Sequence, residues 1–315
     1  MDNNFLKILC SVCVGTDVFK RIVKFSLFRT FRHLILLSIL CSFAYILAKS
    51  PGMKKDINSM VDYFQKQFGS VVVKKAGIYP EKEPGTPRSL SYNYSQINYF
   101  PKKPMHNELG IDDKLNRSGF VWLPNCIVGW VKLDDSNLFV YQALTSLNSH
   151  NWFRMISKEE IPTFLKNCSV NDFKSLRFSF FVPMNVPLFG VLTFHPSKNA
   201  SHYSDTIFYW SAFGVSLRFI ITIIFNSIFY SLLFALIYSI SSRSALYNLK
   251  FKAFLATAIY AGFPGIIIGT IFTIAEIPWL QYQTIYLVSF IIYLIVITQK
   301  LRKLGNDKNL LTPKK

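Results

Sequence analysis

The long hydrophobic stretches of this sequence contain no charged side chain. No Asp, Glu, Lys or Arg falls in Leu34–Ala48, Phe219–Ser239, Ala253–Thr273 or Leu280–Thr298. Pumps and proton-coupled transporters generally carry ionisable groups at membrane depth. Their absence argues against a pump or proton-coupled carrier acting alone. Acids are scarce throughout, with 17 Asp and Glu against 35 Lys and Arg. There is no Gly-rich phosphate loop, no H-E-x-x-H and no G-x-S-x-G, so the common phosphate-binding, zinc-protease and hydrolase signatures are missing. Cys10-x-x-Cys13 has no second pair or nearby His to complete a zinc site. His106, His150, His195 and His202 show no ligand spacing. The sequence therefore calls for no cofactor, no metal and no catalytic residue. Internal repeats and low-complexity tracts are also missing.

What the sequence has in abundance is apolar surface. Hydrophobic residues make up 51% of it, including 30 Phe and 16 Tyr, and mean hydropathy is +0.28. Those values are typical of a membrane protein. The net charge of +18 can also arise in a nucleic-acid binder, so its location decides. Residues up to His33, the segment 242–252 and the tail from Lys300 together hold 15 of the basic residues and 3 of the acids. The excess thus flanks the apolar segments, which is how basic residues fix cytoplasmic loops. It does not gather on a folded face as a nucleic-acid surface requires, and no nucleic acid is expected.

In chain order, residues 1–30 read as a cytoplasmic basic amphipathic segment. Thr16-Asp17 can cap a helix in which Val18, Phe19, Ile22, Val23 and Phe25 form an apolar strip beside Lys20, Arg21 and Lys24. Such a segment lies in the membrane surface and favours anionic lipid headgroups. The alternative is a plain extension of the first span. Residues 31–49 form that span. Cleavage as a signal peptide is the competing reading, disfavoured because Ile46-Leu47-Ala48 matches the small-residue site weakly. Residues 207–300 hold three more spans, about 219–239, 253–274 and 280–298, and 301–315 is a basic cytoplasmic tail. The fold class is an α-helical integral membrane protein of four spans, both termini inside, with an inserted α+β extracytoplasmic domain over 50–206.

Gly119–Leu123, Ile127–Leu133, Leu138–Ala143, Leu176–Val182 and Leu188–His195 read as strands of an antiparallel sheet, with a turn at Asp134-Asp135-Ser136-Asn137. Residues 53–68 read as a helix leaving the membrane, and Ser157 as the cap of a short helix. Cys126 and Cys168 both fall in this domain and either pair in an oxidising compartment or remain free thiols. Asp112-Asp113 sits among turn residues and reads as a solvated loop. Asn93, Asn116, Asn167 and Asn199 stand in glycosylation acceptor triplets, which matter only in a eukaryotic secretory pathway.

The third span carries the clearest pattern. Ala253, Thr257, Ala261, Gly265, Gly269 and Thr273 recur every fourth residue and are all small. Residues four apart share one helix face, so the segment presents a smooth ridge where another helix can approach closely. The ridge serves either a helix of the same chain or a second copy in a homo-oligomer. The expected neighbour is the second span, with Asn226, its one strongly polar side chain, facing the ridge. Pro264 is positioned to kink the third span.

Two stretches, Ser26-Leu27-Phe28-Arg29-Thr30-Phe31-Arg32-His33-Leu34-Ile35-Leu36-Leu37 and Ala253-Phe254-Leu255-Ala256-Thr257-Ala258-Ile259-Tyr260-Ala261-Gly262-Phe263-Pro264, with the order of spans around them, resemble an uncharacterised bacterial family, the domain-of-unknown-function family 1189. The resemblance implies a bacterial cytoplasmic-membrane protein and brings no catalytic residue. The function expected is a non-enzymatic accessory or interaction protein whose extracytoplasmic domain meets a protein partner or ligand. The alternatives are a sensor or transport-associated subunit, and an enzyme with its site in the outer domain.

The charge pattern generates a topology prediction. Reporters active only outside the cytoplasm should work when fused after Ser70 or Glu276 and stay silent after Arg243 or Lys303. An active reporter at Arg243 would refute the four-span arrangement.

Overall fold

The computed structural model describes residues 4–74, 77–93, 95–102, 110–112, 114–124, 126–133, 137–143, 153–160, 163, 176–182, 188–194, 200–241, 251–277, 279 and 281–306. The chain divides into two compact units, one of Met1–Ser50 with Val215–Lys315 and one of Pro51–Gly214. Seven helices are described: α1 (Phe5–Val14), α2 (Phe19–Ile22), α3 (Leu27–Phe68), α4 (Ala200–Ser241), α5 (Phe251–Ala261), α6 (Phe263–Ile274) and α7 (Tyr282–Asn306). Four stretches of them are long and apolar enough to cross a membrane: Leu27–Phe68, Ile207–Tyr238, Phe251–Ile274 and Tyr282–Leu301. The expected first span and the helix at 53–68 thus form one element, α3, which continues through Pro51.

The helical unit is built around the third apolar stretch. Its window is 78% buried, whereas the other three are 28–33% buried. Phe254, Ile259, Tyr260, Phe263 and Ile266 lie in the core with Tyr286, Phe290 and Leu294 of α7. The stretch is interrupted at Gly262, and Pro264 stands in the first turn of α6. Proline is tolerated in a first turn because the N–H it lacks has no intrahelical partner there. At the far end of α6, Lys49 Nζ donates to the Ile274 carbonyl at 3.0 Å and lies 2.5 Å from Glu276 Oε1. A cation at a helix C-terminus offsets the partial negative charge of the last carbonyls.

The N-terminal segment departs from the sequence reading. α1, which the sequence reading lacked, is capped by Asn4, whose Oδ1 accepts from the Leu6 N–H at 3.1 Å. The helix expected after Thr16-Asp17 shrinks to the single turn α2, preceded by Val18 with no side-chain cap. Ile8, Val12, Phe19 and Ile22 are buried in the core of the helical unit. The apolar strip expected to lie on lipid is therefore covered at Phe19 and Ile22 by the protein itself, while Lys20, Arg21 and Lys24 stay exposed. Phe19 meets the Tyr293 ring edge-on. The Tyr293 hydroxyl donates to the carbonyls of Val12 and Gly15, and Lys300 Nζ lies 3.2 Å from Asp17 Oδ1.

Among the described residues the second unit holds ten strands, β1 (Val71–Lys74), β2 (Gly77–Pro80), β3 (Arg88–Tyr92), β4 (Ser95–Tyr99), β5 (Ser118–Leu123), β6 (Cys126–Lys132), β7 (Asn137–Ala143), β8 (Phe153–Ser157), β9 (Leu176–Val182) and β10 (Leu188–Phe194). Strands β3 to β8 form one six-stranded sheet in sequence order, and β1-β2 and β9-β10 are separate hairpins. The expected single antiparallel sheet is corrected at two places: β9 and β10 form a sheet of their own, and β4 and β5 pair in parallel, Ser95 opposite Ser118. Parallel neighbours need a crossover connection, and the long segment between Phe100 and Arg117 supplies it. Gln96 pins that crossover: its Nε2 donates to the Gly110 carbonyl and the Ser89 hydroxyl, both at 2.8 Å, and its Oε1 accepts from the Asp112 N–H at 2.9 Å. Asp112 lies in a turn, its Oδ1 accepting from the Lys114 and Leu115 N–H groups. Asn116 is buried and its amide donates to the Asp112 carbonyl, so this acceptor triplet does not offer its asparagine to solvent.

The end of α3 covers one face of the sheet. Phe68 packs with Tyr99, Trp122 and Ile127, with Phe64, Leu90, Ile97 and Phe120 around them. Gly69 ends the helix at φ +69, in the left-handed region that glycine enters without strain, and its N–H bonds the Gln65 carbonyl at 2.8 Å. Where a short helix is expected after Ser157, the described residues show a 3-10 turn over Lys158–Glu160, with Glu160 Oε2 accepting from the Ser157 N–H at 3.1 Å, and a helical Thr163. The rest of that expected helix lies outside the described residues. The turn at 134–136, Cys168 and the Cys126 side chain lie outside the described residues, and with them the Cys126–Cys168 pairing.

Gly119 marks the tightest point of the sheet. A Cβ there would collide with the Gln96 carbonyl oxygen and stand 2.8 Å from the Trp130 ring. Gly119→Ala should destabilise this unit by about 1–3 kcal/mol, the usual cost of overpacking. Chemical denaturation followed by tryptophan fluorescence checks it, and an unchanged midpoint would contradict the packing.

Candidate functional site

The small-residue ridge is split between two helices. Ala253, Thr257 and Ala261 lie on α5, and Gly265, Gly269 and Thr273 on α6. Thr257 and Ala261 are fully buried, Gly265 and Gly269 are buried, and Ala253 and Thr273 are half-buried. Both threonine hydroxyls turn back onto their own helix, Thr257 donating to the Ala253 carbonyl at 2.9 Å and Thr273 to the Gly269 carbonyl at 2.7 Å.

The neighbour of the glycines is α7, the fourth apolar helix, where the second had been expected. A Cβ on Gly265 would stand 3.0 Å from the Tyr286 carbonyl oxygen and 3.3 Å from Ser289 Cβ. One on Gly269 would stand 3.0 Å from the Tyr282 ring, and one on Gly262 would stand 2.7 Å from the Tyr286 hydroxyl. The physical reason is size matching. α7 carries bulky aromatic rings at Tyr282, Tyr286 and Phe290, one turn apart and stacked with ring centroids 6.1 and 5.8 Å apart. Glycines leave room for such rings, and the short connection between α6 and α7 favours antiparallel packing. Gly262 belongs to this surface but lies off the four-residue register, so the sequence pattern did not include it.

The second apolar helix, α4, meets the other side of the tyrosine column. Phe219 packs edge-on against Tyr282 and Phe234 against Phe290, and the Tyr230 ring lies tilted against Tyr286. Asn226 is buried, as are Ser227 and Ser231. The described residues give no hydrogen-bond partner to Asn226 Nδ2, Ser227 Oγ, Ser231 Oγ, or the Tyr282 and Tyr286 hydroxyls. Ser227 stands beside the Tyr286 phenol, though the two do not reach hydrogen-bonding geometry. The same interior holds a completed pair: the Tyr260 hydroxyl and His33 Nδ1 are 2.7 Å apart, both side chains buried. Phe5 meets the His33 ring edge-on at 5.2 Å. Arg29 lies over the Phe25 ring at 4.0 Å. The sequence signals for this constellation were the tyrosines at four-residue spacing and the single His at the start of α3, and neither pattern names its partner.

Outside the apolar helices, the Asp17 carboxyl is held below its ordinary range, first by a hydrogen bond from Lys300. Cys10 and Cys13 are exposed free thiols on α1, and Cys41 is buried in α3. Among the described residues, no three His, Cys, Asp or Glu side chains group as metal ligands. The candidate site is thus a seam of hydroxyls, an amide and an imidazole inside a helical bundle, hydrogen-bonding in character, with the Arg29 guanidinium beside it over Phe25. Comparison of the chain with protein-family models, curated proteins and solved structures finds no match.

The packing of α6 on α7 yields a stability prediction. Gly265→Leu or Gly269→Leu should lower stability in mild detergent by about 1–3 kcal/mol, as overpacking does. Ile271→Leu, on the exposed side of the same helix, should leave it unchanged. Equal melting temperatures for all three variants would contradict the assignment.

Proposed function

We propose that this protein is a non-enzymatic accessory or interaction protein of a bacterial cytoplasmic membrane, with both termini inside and the Pro51–Gly214 unit outside as its recognition module. The observation that carries the reading is how that unit is attached. Helices α3 and α4 are each 42 residues long, or ~63 Å at 1.5 Å per residue, about twice the ~30 Å hydrocarbon core. Each begins or ends inside the sheet unit, which has its own aromatic core at Phe68, Tyr99 and Trp122. A folded module joined to the apolar unit through two continuous helices suits contact with a partner. The basic flanks support the orientation. The bacterial setting rests on the likeness of two short stretches to the domain-of-unknown-function family 1189.

Exposed Lys20, Arg21 and Lys24 support attraction to anionic headgroups at the cytoplasmic face. A homo-oligomer would use a surface other than the glycines, because Gly265 and Gly269 are occupied within the chain. The second reading, a sensor or transport-associated subunit, draws on the same shared helices, since a helix common to two units is a route for coupling them. That reading requires a cytoplasmic effector as partner.

The test is photocrosslinking in the native membrane. A crosslinking amino acid at Ser91, exposed on β3, should trap a defined protein or ligand. The same group at buried Val121 should trap nothing beyond the chain itself. Recovery of the bare chain from Ser91 and from every other exposed position tried in the unit would refute the interaction reading.

A further inference from the structure

Strand β3 is an edge of the six-stranded sheet. It pairs with β4 alone, Arg88 opposite Tyr99. Among the described residues, no backbone hydrogen bond reaches β3 from its other side. Alternate N–H and C=O groups of the strand therefore point away from the sheet with no described strand to meet them. Natural edges are commonly guarded by a charge, a proline or a bulge. Ser89-Leu90-Ser91-Tyr92 carries no charge and no proline, and its pairing with β4 runs without a bulge.

The surface beside that edge has an apolar part and a basic part. Arg88, Leu90 and Tyr92 are half-buried and alternate with exposed Ser89 and Ser91, so they share the face that the end of α3 covers. Leu90 packs on the Phe68, Tyr99 and Trp122 core. Tyr92 lies against Tyr63 and Phe64, with ring centroids 5.3 and 6.4 Å apart, and those two rings are half-buried as well. The core thus runs out to the edge as a partly open apolar shelf. At the other end of the strand, cations converge on the C-terminal turn of α3. Arg88 donates to the Gln67 carbonyl and to Gln67 Oε1. Exposed Lys82 donates to the Lys66 carbonyl at 3.2 Å. None of the ion pairs among the described residues involves Arg88, and Glu81, an acid of this corner, accepts from the Ser70 N–H at 3.0 Å.

These features select one occupant. A row of backbone donors and acceptors is matched by another extended chain, lying ~4.8 Å away. Its alternate side chains then fall on the shelf or beside Arg88, whose guanidinium has more donors than Gln67 uses. A carboxylate is the complementary group there. A second copy of β3 brings a backbone and no acid, so it leaves the charge unanswered.

We infer that β3 is a docking edge for an extended peptide segment of a partner, which adds a strand antiparallel to β3, with two alternate apolar side chains on the Leu90–Tyr92 shelf and a carboxylate at Arg88. This rests on the reading of the Pro51–Gly214 unit as a recognition module and names the kind of partner it takes.

Fluorescence anisotropy of the full chain in lipid nanodiscs tests it, with labelled Thr-Val-Thr-Val-Thr-Asp-Thr as the probe. The peptide should bind saturably, and replacing its Asp by Lys should weaken binding about tenfold, as loss of a charge-assisted hydrogen bond does. Arg88→Glu should reverse that preference. With the protein unaltered, N-methylation of alternate peptide amides should abolish binding in one register and spare it in the other, because only one edge of the added strand faces β3. No binding, or binding indifferent to N-methylation in both registers, would overturn the assignment. So would disulfide dimers of the Ser91→Cys chain that the peptide leaves unchanged, which would make a second copy the occupant. Photocrosslinkers at exposed Leu115 and Leu133 separate this from the broader reading. A partner trapped there with no peptide bound overturns the edge alone. Nothing trapped there or at Ser91, with no peptide bound, overturns both.

Discussion

The contact between the glycine face of α6 and the aromatic column of α7 organises the helical unit. In a bilayer, lipid tails are as apolar as leucine, and burying an apolar side chain against a neighbouring helix gains little over leaving it in lipid. Close packing has to hold the helices together. Gly265 and Gly269 let the Tyr286 carbonyl and the Tyr282 ring come to within 3.0 Å, and the Tyr286 ring to within 3.4 Å, of where a Cβ would sit. From that contact follows the central position of the third apolar stretch, which is the most buried of the four. The other helices then pack on its remaining surface. Phe219, Tyr230 and Phe234 of α4 meet the far side of the same aromatic column.

Placing the third stretch at the centre also explains its polar surroundings. The interior of a bundle is where a membrane protein can keep hydroxyls and amides out of lipid. His33 and Tyr260 satisfy each other there. Ser38 and Thr270 donate to carbonyls of their own helices, the local solution open to short hydroxyl side chains. The Tyr282 and Tyr286 phenols have longer reach and no backbone carbonyl of their own turn to use. At Gly262 the Tyr286 hydroxyl reaches to 2.7 Å from where a Cβ would stand. The glycine that admits the Tyr286 ring end and the proline that interrupts the hydrogen-bond ladder thus belong to the same local arrangement.

The sheet unit follows a different rule. Its core is held by apolar burial, with the aromatic rings of Phe68, Tyr99 and Trp122 at its centre. Phe64 and Phe68 arrive on the end of a helix that began in the other unit, and they cover Tyr99, Trp122 and Ile127. Gln96 fixes the crossover between the two parallel strands by bonding three separate partners. Such a satisfied buried amide specifies one path for a connection that apolar packing alone would leave undetermined.

The sequence alone determined the four apolar helices, the basic flanks, and strands β5, β6, β7, β9 and β10. These are readable because hydropathy over a span and alternation along a strand are local quantities. It also located the small residues of the third stretch, because their four-residue spacing is local too. Tertiary structure decided which helix meets them. Both α4 and α7 carry large residues at helical spacing, and only the packing of the whole bundle selects Tyr282 and Tyr286 over the side of α4 that carries Asn226. The fate of the N-terminal strip was decided in the same way. An amphipathic face looks the same in sequence whether lipid or protein covers Phe19 and Ile22, and the Tyr293 hydroxyl that secures the segment lies 281 residues from Val12 along the chain. The parallel β4–β5 pair and the His33–Tyr260 bond, 227 residues apart, belong to that class of non-local fact. Each depends on two segments whose individual patterns are compatible with many partners.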